Sequence, residues 1–400
     1  MADYDRWKKA VEDTFPFEEG QTIIDKDVVI ELLYRSDQNR QIPYHNPGNF
    51  PYTRGGSSQL QKPLIMQKVN MRDGEEQVER RVKEMSEADI DCLQLILPCD
   101  IWSEEVFEYQ HEIEKMIRIF QNTKVQLLME AGKLQKPIIE KLTSCTNWHE
   151  KTQIKGAILV DPLQSLIFKN NNDQQKERYR SLADCIEMSI FPHIRLLQID
   201  TEPYRLLGVN VVMELALAMA VGVEYIEQLR KHDIEPNEVS KKMMFTFSIG
   251  SYIGVEIAKL RAFRTLWASV MKEYKADPLA QQAWIEARTA RELQVENDPH
   301  MSIVKATVSG LAAILGGANH LFIRPNLDEH LARQAALILR DEAFLYFPID
   351  SVGGSYYIEA LTEQLAEKSW NLFLDIERQG GIVAAWTGGW LEKHIMGGKI

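Results

Sequence analysis

From about Asp89 onward, short apolar runs alternate with longer amphipathic stretches, and this alternation constrains the fold more than any other feature of the chain. The runs are Cys92–Leu97, Val125–Met129, Ala157–Val160, Ile194–Ile199, Phe245–Ile249, Trp284–Ala287 and His320–Ile323. Each is short enough for a strand and rich in branched or aromatic side chains. An eighth run is expected near Asp350–Tyr357. Between them lie helical stretches, the clearest being Glu256–Tyr274, where Ile257, Leu260, Phe263, Trp267, Val270 and Met271 recur at helical spacing. Repeated strand–helix units predict a parallel sheet. Eight of them close a (β/α)8 TIM-type barrel, with an open doubly wound sheet as the alternative.

The first 88 residues follow another pattern. Helical stretches around Tyr4–Phe15 precede a loop, Ile42 to Pro51, whose Pro and Gly content excludes regular helix or a central strand. The chain therefore divides into an N-terminal helical and extended arm, 1–88, and a barrel, 89–400.

A formal net charge of −12 argues against a nucleic-acid partner, which would require a basic face. No apolar run reaches the roughly 20 residues of a membrane helix; Val209–Ile226 is interrupted by Asn210, Glu214 and Glu224. Cys92, Cys99, Cys145 and Cys185 form no CxxC pair, which fits reduced thiols in the cytoplasm. The polar N-terminus shows no signal peptide. Walker, GxGxxG, HExxH and GxSxG motifs are absent, so generic signatures point to no catalytic, cofactor-binding or metal residue.

Longer strings are more telling. Glu256-Ile-Ala-Lys259-Leu-Arg261-Ala-Phe-Arg264-Thr-Leu-Trp267 resembles the E-I-A-K-x-R-A-x-R-x-L-W helix of the methylmalonyl-CoA mutase family. Leu311–Ala318 with Leu327-Asp328-Glu329 is similar to its L-A-A-x-L-G-G and F-D-E segments. Asp350–Glu359 resembles D-P-x-G-G-S-Y-Y-x-E, Pro47–Gly55 resembles the arm segment P-G-x-x-P-F-x-R-G, and Met213–Tyr225 resembles E-L-A…G-x-E-Y. As packing motifs these strings identify the fold rather than the chemistry. Lys259, Arg261 and Arg264 are expected in helix-surface ion pairs of about 0.2–0.5 kcal/mol each, and Gly353 and Gly354 in a tight loop.

The resemblance implies a barrel with an acyl-CoA tail along its axis and a C-terminal adenosylcobalamin domain that caps it. Against that pattern, the departures are concentrated where chemistry would occur. Pro203 stands in place of a carbonyl-binding histidine, and proline offers neither side-chain donor nor N–H; Tyr204 or Arg205 could substitute from next door. Arg291, Leu293, Val295 and Asn297 replace small channel residues and are expected to plug it, and Phe322-Ile-Arg324-Pro325 replaces a small polar segment. Met66 and Lys68 align with an arginine that holds CoA and a tyrosine that wedges against the cofactor. His394, in Glu392-Lys-His394-Ile-Met-Gly397, is expected to match the cobalt-ligand motif only by chance, since Glu392 stands for its Asp, and no cobalamin domain is expected on this chain.

The resemblance thus implies the small, non-catalytic subunit of a heterodimeric mutase, with no catalytic or cofactor residues of its own. Adenosylcobalamin would sit on the partner, a catalytic large subunit held through an interface above about 2,000 Å². Two alternatives remain open. One is the substrate barrel of a split acyl-CoA mutase that works with a separate cobalamin-binding chain. The other is a stand-alone acyl-CoA binder using Arg54, Arg291 and Arg324.

Overall fold

The computed structural model describes residues 6–7, 9–11, 13, 21–24, 28–31, 33–35, 45–70, 75–96, 114, 125–145, 154–164, 175–294, 298–325 and 328–397. Half of the expected helical stretch Tyr4–Phe15, the loop residues 42–44, and Leu97, Cys99, Val295, Asn297 and Leu327 lie outside them.

Two short strands, β1 (Gln21–Ile24) and β2 (Val28–Glu31), form an antiparallel pair before the barrel. Eight parallel strands then close on themselves: β3 (Leu64–Asn70), β4 (Cys92–Ile96), β5 (Gln126–Glu130), β6 (Gly156–Val160), β7 (Ile194–Asp200), β8 (Met243–Ile249), β9 (Ile285–Thr289) and β10 (His320–Phe322). Neighbours pair in chain order, and β10 returns to β3 with His320 opposite Leu64. The seven apolar runs expected as strands all lie in this barrel.

The eighth strand differs from expectation. It is Leu64–Asn70, which precedes residue 89, and not the Asp350–Tyr357 segment. In β3, Met66 is fully buried and Lys68 half-buried; two polar residues, Gln67 and Lys68, break the apolar signature that marks the other strands. Asp350–Ser355 instead turns into a helix. Gly354 has φ +86, and a Cβ at Gly353 would lie 2.5 Å from Asp350 Oδ2, so the tight loop requires both glycines.

The helical layer comprises α1 (Glu75–Glu87), α2 (Gln135–Cys145), α3 (Gln175–Met188), α4 (Glu202–Leu206), α5 (Val211–Arg230), α6 (Pro236–Lys241), α7 (Ile253–Glu273), α8 (Pro299–Leu315), α9 (Glu329–Leu337), α10 (Tyr356–Arg378), α11 (Ile382–Thr387) and α12 (Trp390–Gly397). Asn210 caps α5 by accepting a hydrogen bond from the Met213 N–H. The apolar run that follows is buried between the barrel, α7 and α10. Its Gly222 lets the Trp267 ring of α7 approach to where a Cβ would sit 2.7 Å away. Among the described residues, no helix is long and apolar enough to cross a membrane.

The cations of α7 are not surface groups, as their helical spacing suggested. Lys259 is fully buried, and its ammonium pairs with Glu214 of α5 at 3.1 Å and Glu256 at 2.5 Å, and donates to the Ser248 carbonyl at 2.5 Å. Arg261 pairs with Asp350 and with Glu359 at 2.8 Å, while Arg264 donates to the carbonyls of Gly316 and Gly317. These links tie α7 to α5, α8 and α10. Removing one member leaves buried charge uncompensated, at a cost of about 3–5 kcal/mol. Lys259→Ala is therefore expected to lower the unfolding free energy by about that amount in denaturant titration; a loss under about 1 kcal/mol would place these charges outside the stabilising framework.

Candidate functional site

Side chains from non-adjacent strands can touch only across the barrel lumen. Met66, Cys92, Leu128, Ala157, Leu159, Met244 and Phe322 form one such buried cluster. They occupy the middle of the barrel, alternating along each strand with residues that face the helices.

Above them, toward the C-terminal ends of the strands, the lumen is ionic. Arg288 of β9 donates to Glu286 at 2.7 and 3.1 Å and to Asp200 of β7 at 3.2 Å, and lies 3.5 Å from Glu130 of β5. Gln94 of β4 donates to Glu130 at 2.9 Å. Gln198 donates to Thr246, whose hydroxyl donates to Glu286 at 2.9 Å. Arg288 thus spans the barrel and links strands on opposite sides of it.

At the rim, Glu202 opens α4 and accepts from Arg291 Nε at 2.9 Å and Arg324 Nη2 at 2.7 Å. Its backbone N–H donates to Asp200 Oδ1 at 2.9 Å. Arg324 also donates to the Thr289 carbonyl. Active sites of such barrels are assembled at this face, and here its charged groups are paired with one another.

The electrostatics follow from burial. Burial pushes the Asp200 carboxyl up to about 7, although the Arg288 charge opposes this. Burial likewise raises Asp161, at the end of β6, to about 6, against the hydrogen bond from Tyr225. For Glu286 and Glu202 burial also acts upward, but the neighbouring arginines outweigh it and hold both below the usual carboxylate range. Burial and the nearby Arg288 bring Lys68 down to about 8; its ammonium lies 4.9 Å from the Phe322 ring.

The residues singled out by sequence are placed as follows. Pro203 lies in the first turn of α4 and presents no donor. Neither proposed substitute is available: Tyr204 is buried in the core, and Arg205 donates to the Val209 carbonyl at 2.8 Å and faces Glu214 at 3.8 Å. Arg291 does not plug the lumen as expected. Its side chain is 57% exposed and reaches sideways to Glu202, because the 3₁₀ turn Arg291–Leu293 carries it onto the rim. Leu293 is buried behind that turn, beside α8 rather than on the axis. The lumen is filled instead by Arg288, Glu286 and Met244, which sequence reasoning missed. Their only signal was polar and bulky residues at inward positions of strands already assigned. Phe322 and Arg324 do occupy the lumen and rim. The three arginines suggested as anion contacts all serve internal pairs, Arg54 with Asp350 and Glu359, each at 3.6 Å.

His394 does not fit a cobalt ligand. It lies exposed on α12, stacked on the Trp390 ring at 3.8 Å, with Nδ1 2.8 Å from the Trp390 carbonyl. No group of three potential metal ligands occurs among the described residues.

The other end of the barrel is hollow. A cavity of about 670 Å³ opens beneath the N-terminal ends of the strands, lined among others by Gln126, Gly156, Arg195, Met244, Trp284 and His320. The apolar lumen cluster forms its roof.

The family model described as methylmalonyl-CoA mutase matches residues 111–398. Among curated relatives, a methylmalonyl-CoA mutase small subunit from Streptomyces virginiae is 32% identical over 261 residues, covering 62% of this chain and 40% of that protein. A methylmalonyl-CoA mutase from Rhizobium meliloti is 29% identical, covering 62% and 36%. A small subunit from Porphyromonas gingivalis is 28% identical, covering 61% and 41%. The matched stretch therefore spans about two-fifths of these relatives' length. Among solved structures, a Yersinia pestis dihydropteroate synthase in a sulfonamide drug complex aligns over 72% of this chain and 96% of its own, with 12% identity and a TM-score of 0.42, too low to bear on function.

The raised Asp200 carboxyl yields a pH prediction. Its proton is bound more tightly in the folded chain than at its ordinary value of 3.8, so stability falls as pH rises from about 4 to about 7 and then levels off. Asp200→Asn cannot ionise. Its melting temperature should therefore fall less than that of the unaltered chain between roughly pH 5 and 7.5. Parallel curves would assign the titration elsewhere.

Proposed function

This chain belongs to the methylmalonyl-CoA mutase family, and from that premise we propose that it serves as a small, non-catalytic subunit that binds and stabilises a catalytic large subunit. Adenosylcobalamin, which supplies the radical chemistry of the family, would be carried by that partner. No step is routed through the residues of this chain.

One observation carries the reading. Where a carbonyl-binding donor would be needed, α4 offers Pro203, and beside it Glu202 is pinned by Arg291 and Arg324 across the barrel rim. An acyl carbonyl placed there would face a carboxylate and a proline ring. Losing a single donor to a developing oxyanion already costs about 10²–10³ in rate. Below the rim, Arg288 and the Met66–Met244–Phe322 cluster fill the axis that an extended acyl-CoA tail would occupy. The names of the Streptomyces and Porphyromonas relatives support the same role.

The split-mutase alternative requires that axis to open, and it would have to break paired, buried charges to do so. Purified with a catalytic large subunit of the family, this chain is expected to co-elute as a 1:1 complex at roughly micromolar concentration, as an obligate interface requires. Without the large subunit, it should show no turnover of methylmalonyl-CoA when mixed with a separate cobalamin-binding chain. Separate elution, or turnover in that mixture, would sink the proposal.

A further inference from the structure

The cavity at the N-terminal end of the barrel plays no part in the subunit reading above, and its lining is unusual for this chain. In a chain of net charge −12, six of its wall residues are cationic: Arg54, Lys62, Lys155, Arg195, Lys241 and Arg264. Only Asp350 among the lining residues carries a carboxylate.

Four of the six cations are already occupied. Arg54 faces Asp350 and Glu359, Lys62 pairs with Asp341 at 3.3 Å, Lys241 pairs with Asp277 at 2.9 Å, and Arg264 donates to the carbonyls of Gly316 and Gly317. Lys155 at the rim is exposed and has no partner among the described residues. Arg195, on β7, uses only Nη1, which donates to the Lys241 and Met243 carbonyls; the guanidinium lies 4.2 Å from the Trp284 ring.

Two polar groups on the floor lack any hydrogen bond. Trp284 Nε1–H is one, and His320 Nδ1, in a side chain only 3% exposed, is the other. A buried donor left in this way costs about 1–3 kcal/mol, a cost that an incoming acceptor removes. Two uncommitted cations and an indole N–H suit one carboxylate, not the several charges of a polyphosphate.

The rim sets the size of the occupant. Four large apolar side chains, Leu60, Leu279, Phe344 and Phe347, are 45–65% exposed. Leu279 lines the cavity itself, Gln59 and Gln61 line it on either side of Leu60, and Leu345, Tyr346 and Pro348 line it beside the two phenylalanines. A small anion inside the cavity would leave this ring in water. A polypeptide segment crossing the opening would cover it.

We propose that this cavity is a docking site for an acidic segment of the partner polypeptide, with one carboxylate entering toward Arg195 and Trp284 and apolar side chains on either side covering Leu60, Leu279, Phe344 and Phe347. The proposal rests on the subunit reading above and names the surface by which the partner is held.

Binding of the catalytic large subunit, measured by isothermal titration calorimetry at two salt concentrations, tests it. Arg195→Ala could unfold the chain, since Arg195 ties two backbone carbonyls, so the test uses exposed positions. The double variant Lys155→Glu with Leu279→Ser is expected to weaken the complex at least tenfold and to flatten its salt dependence. Hydrogen exchange at 155–157 and 279–284 is expected to slow in the unaltered complex. An unchanged dissociation constant for the double variant, with the complex still forming, overturns the docking site. So does stoichiometric binding of CoA or pyrophosphate that Lys155→Glu abolishes, which would make the cavity a small-molecule site. Failure of the unaltered chain to form any complex overturns the subunit reading itself.

Discussion

Arg288 is the residue on which the barrel interior depends. A cation fully withdrawn from water must be paired or hydrogen-bonded, and here Glu286, Asp200 and Glu130 come from β9, β7 and β5. Satisfying that single charge therefore fixes three strands relative to one another across the lumen. Glu202 extends the arrangement to the rim, where it ties the start of α4 to Arg324 and Arg291. The axis cannot be vacated one side chain at a time, because each departure would strand an opposite charge.

The same logic recurs outside the barrel. Lys259, Arg261 and Arg264 lie along α7, and each meets its partners on a different neighbour: Glu214 on α5, Asp350 in the turn before α10 and Glu359 in its first turn, and the Gly316 and Gly317 carbonyls at the end of α8. The arm joins this system through Arg54, which shares Asp350 and Glu359 with Arg261. Charge pairing, more than apolar packing, thus decides where arm, helices and loop sit relative to one another. Apolar packing supplies the bulk of the driving force, but it is non-directional; the buried ion pairs are what distinguish this arrangement from other ways of stacking the same helices.

This division explains what could be read from the sequence. Seven barrel strands announced themselves because their apolar runs are local and periodic. The eighth, Leu64–Asn70, did not, since Gln67 and Lys68 give it the polarity of a loop and only the closing of the barrel turns Met66 inward. Pro203 was legible as a missing donor only through the family resemblance, to which proline chemistry adds that it offers neither side-chain donor nor N–H. The lumen plug was not. Arg291 and Leu293 were the conspicuous bulky residues, yet a 3₁₀ turn carries them to the rim and behind it, while the actual occupant, Arg288, is an unremarkable arginine in a strand. Helical spacing misjudged α7 for a related reason: it finds neighbours on one helix but cannot see Glu214 or Asp350, which arrive from elsewhere in the chain. The cavity under the strands left no local signal, for its lining comes from the arm, the strand starts and the loops beneath them.

The two ends of the barrel are consequently unlike. At the C-terminal end, where barrels of this kind build active sites, the described charges Arg288, Glu286, Asp200, Glu202, Arg291 and Arg324 pair with one another within the chain. At the N-terminal end, Lys155 has no mate among the described residues, Arg195 donates through Nη1 alone, and Trp284 Nε1 and His320 Nδ1 have no hydrogen-bond partner. On the reading proposed here, this polypeptide has closed the face where its relatives' fold would perform chemistry and left open the face where another chain can complete it. That pattern is what a subunit retained for assembly, and not for turnover, would be expected to show.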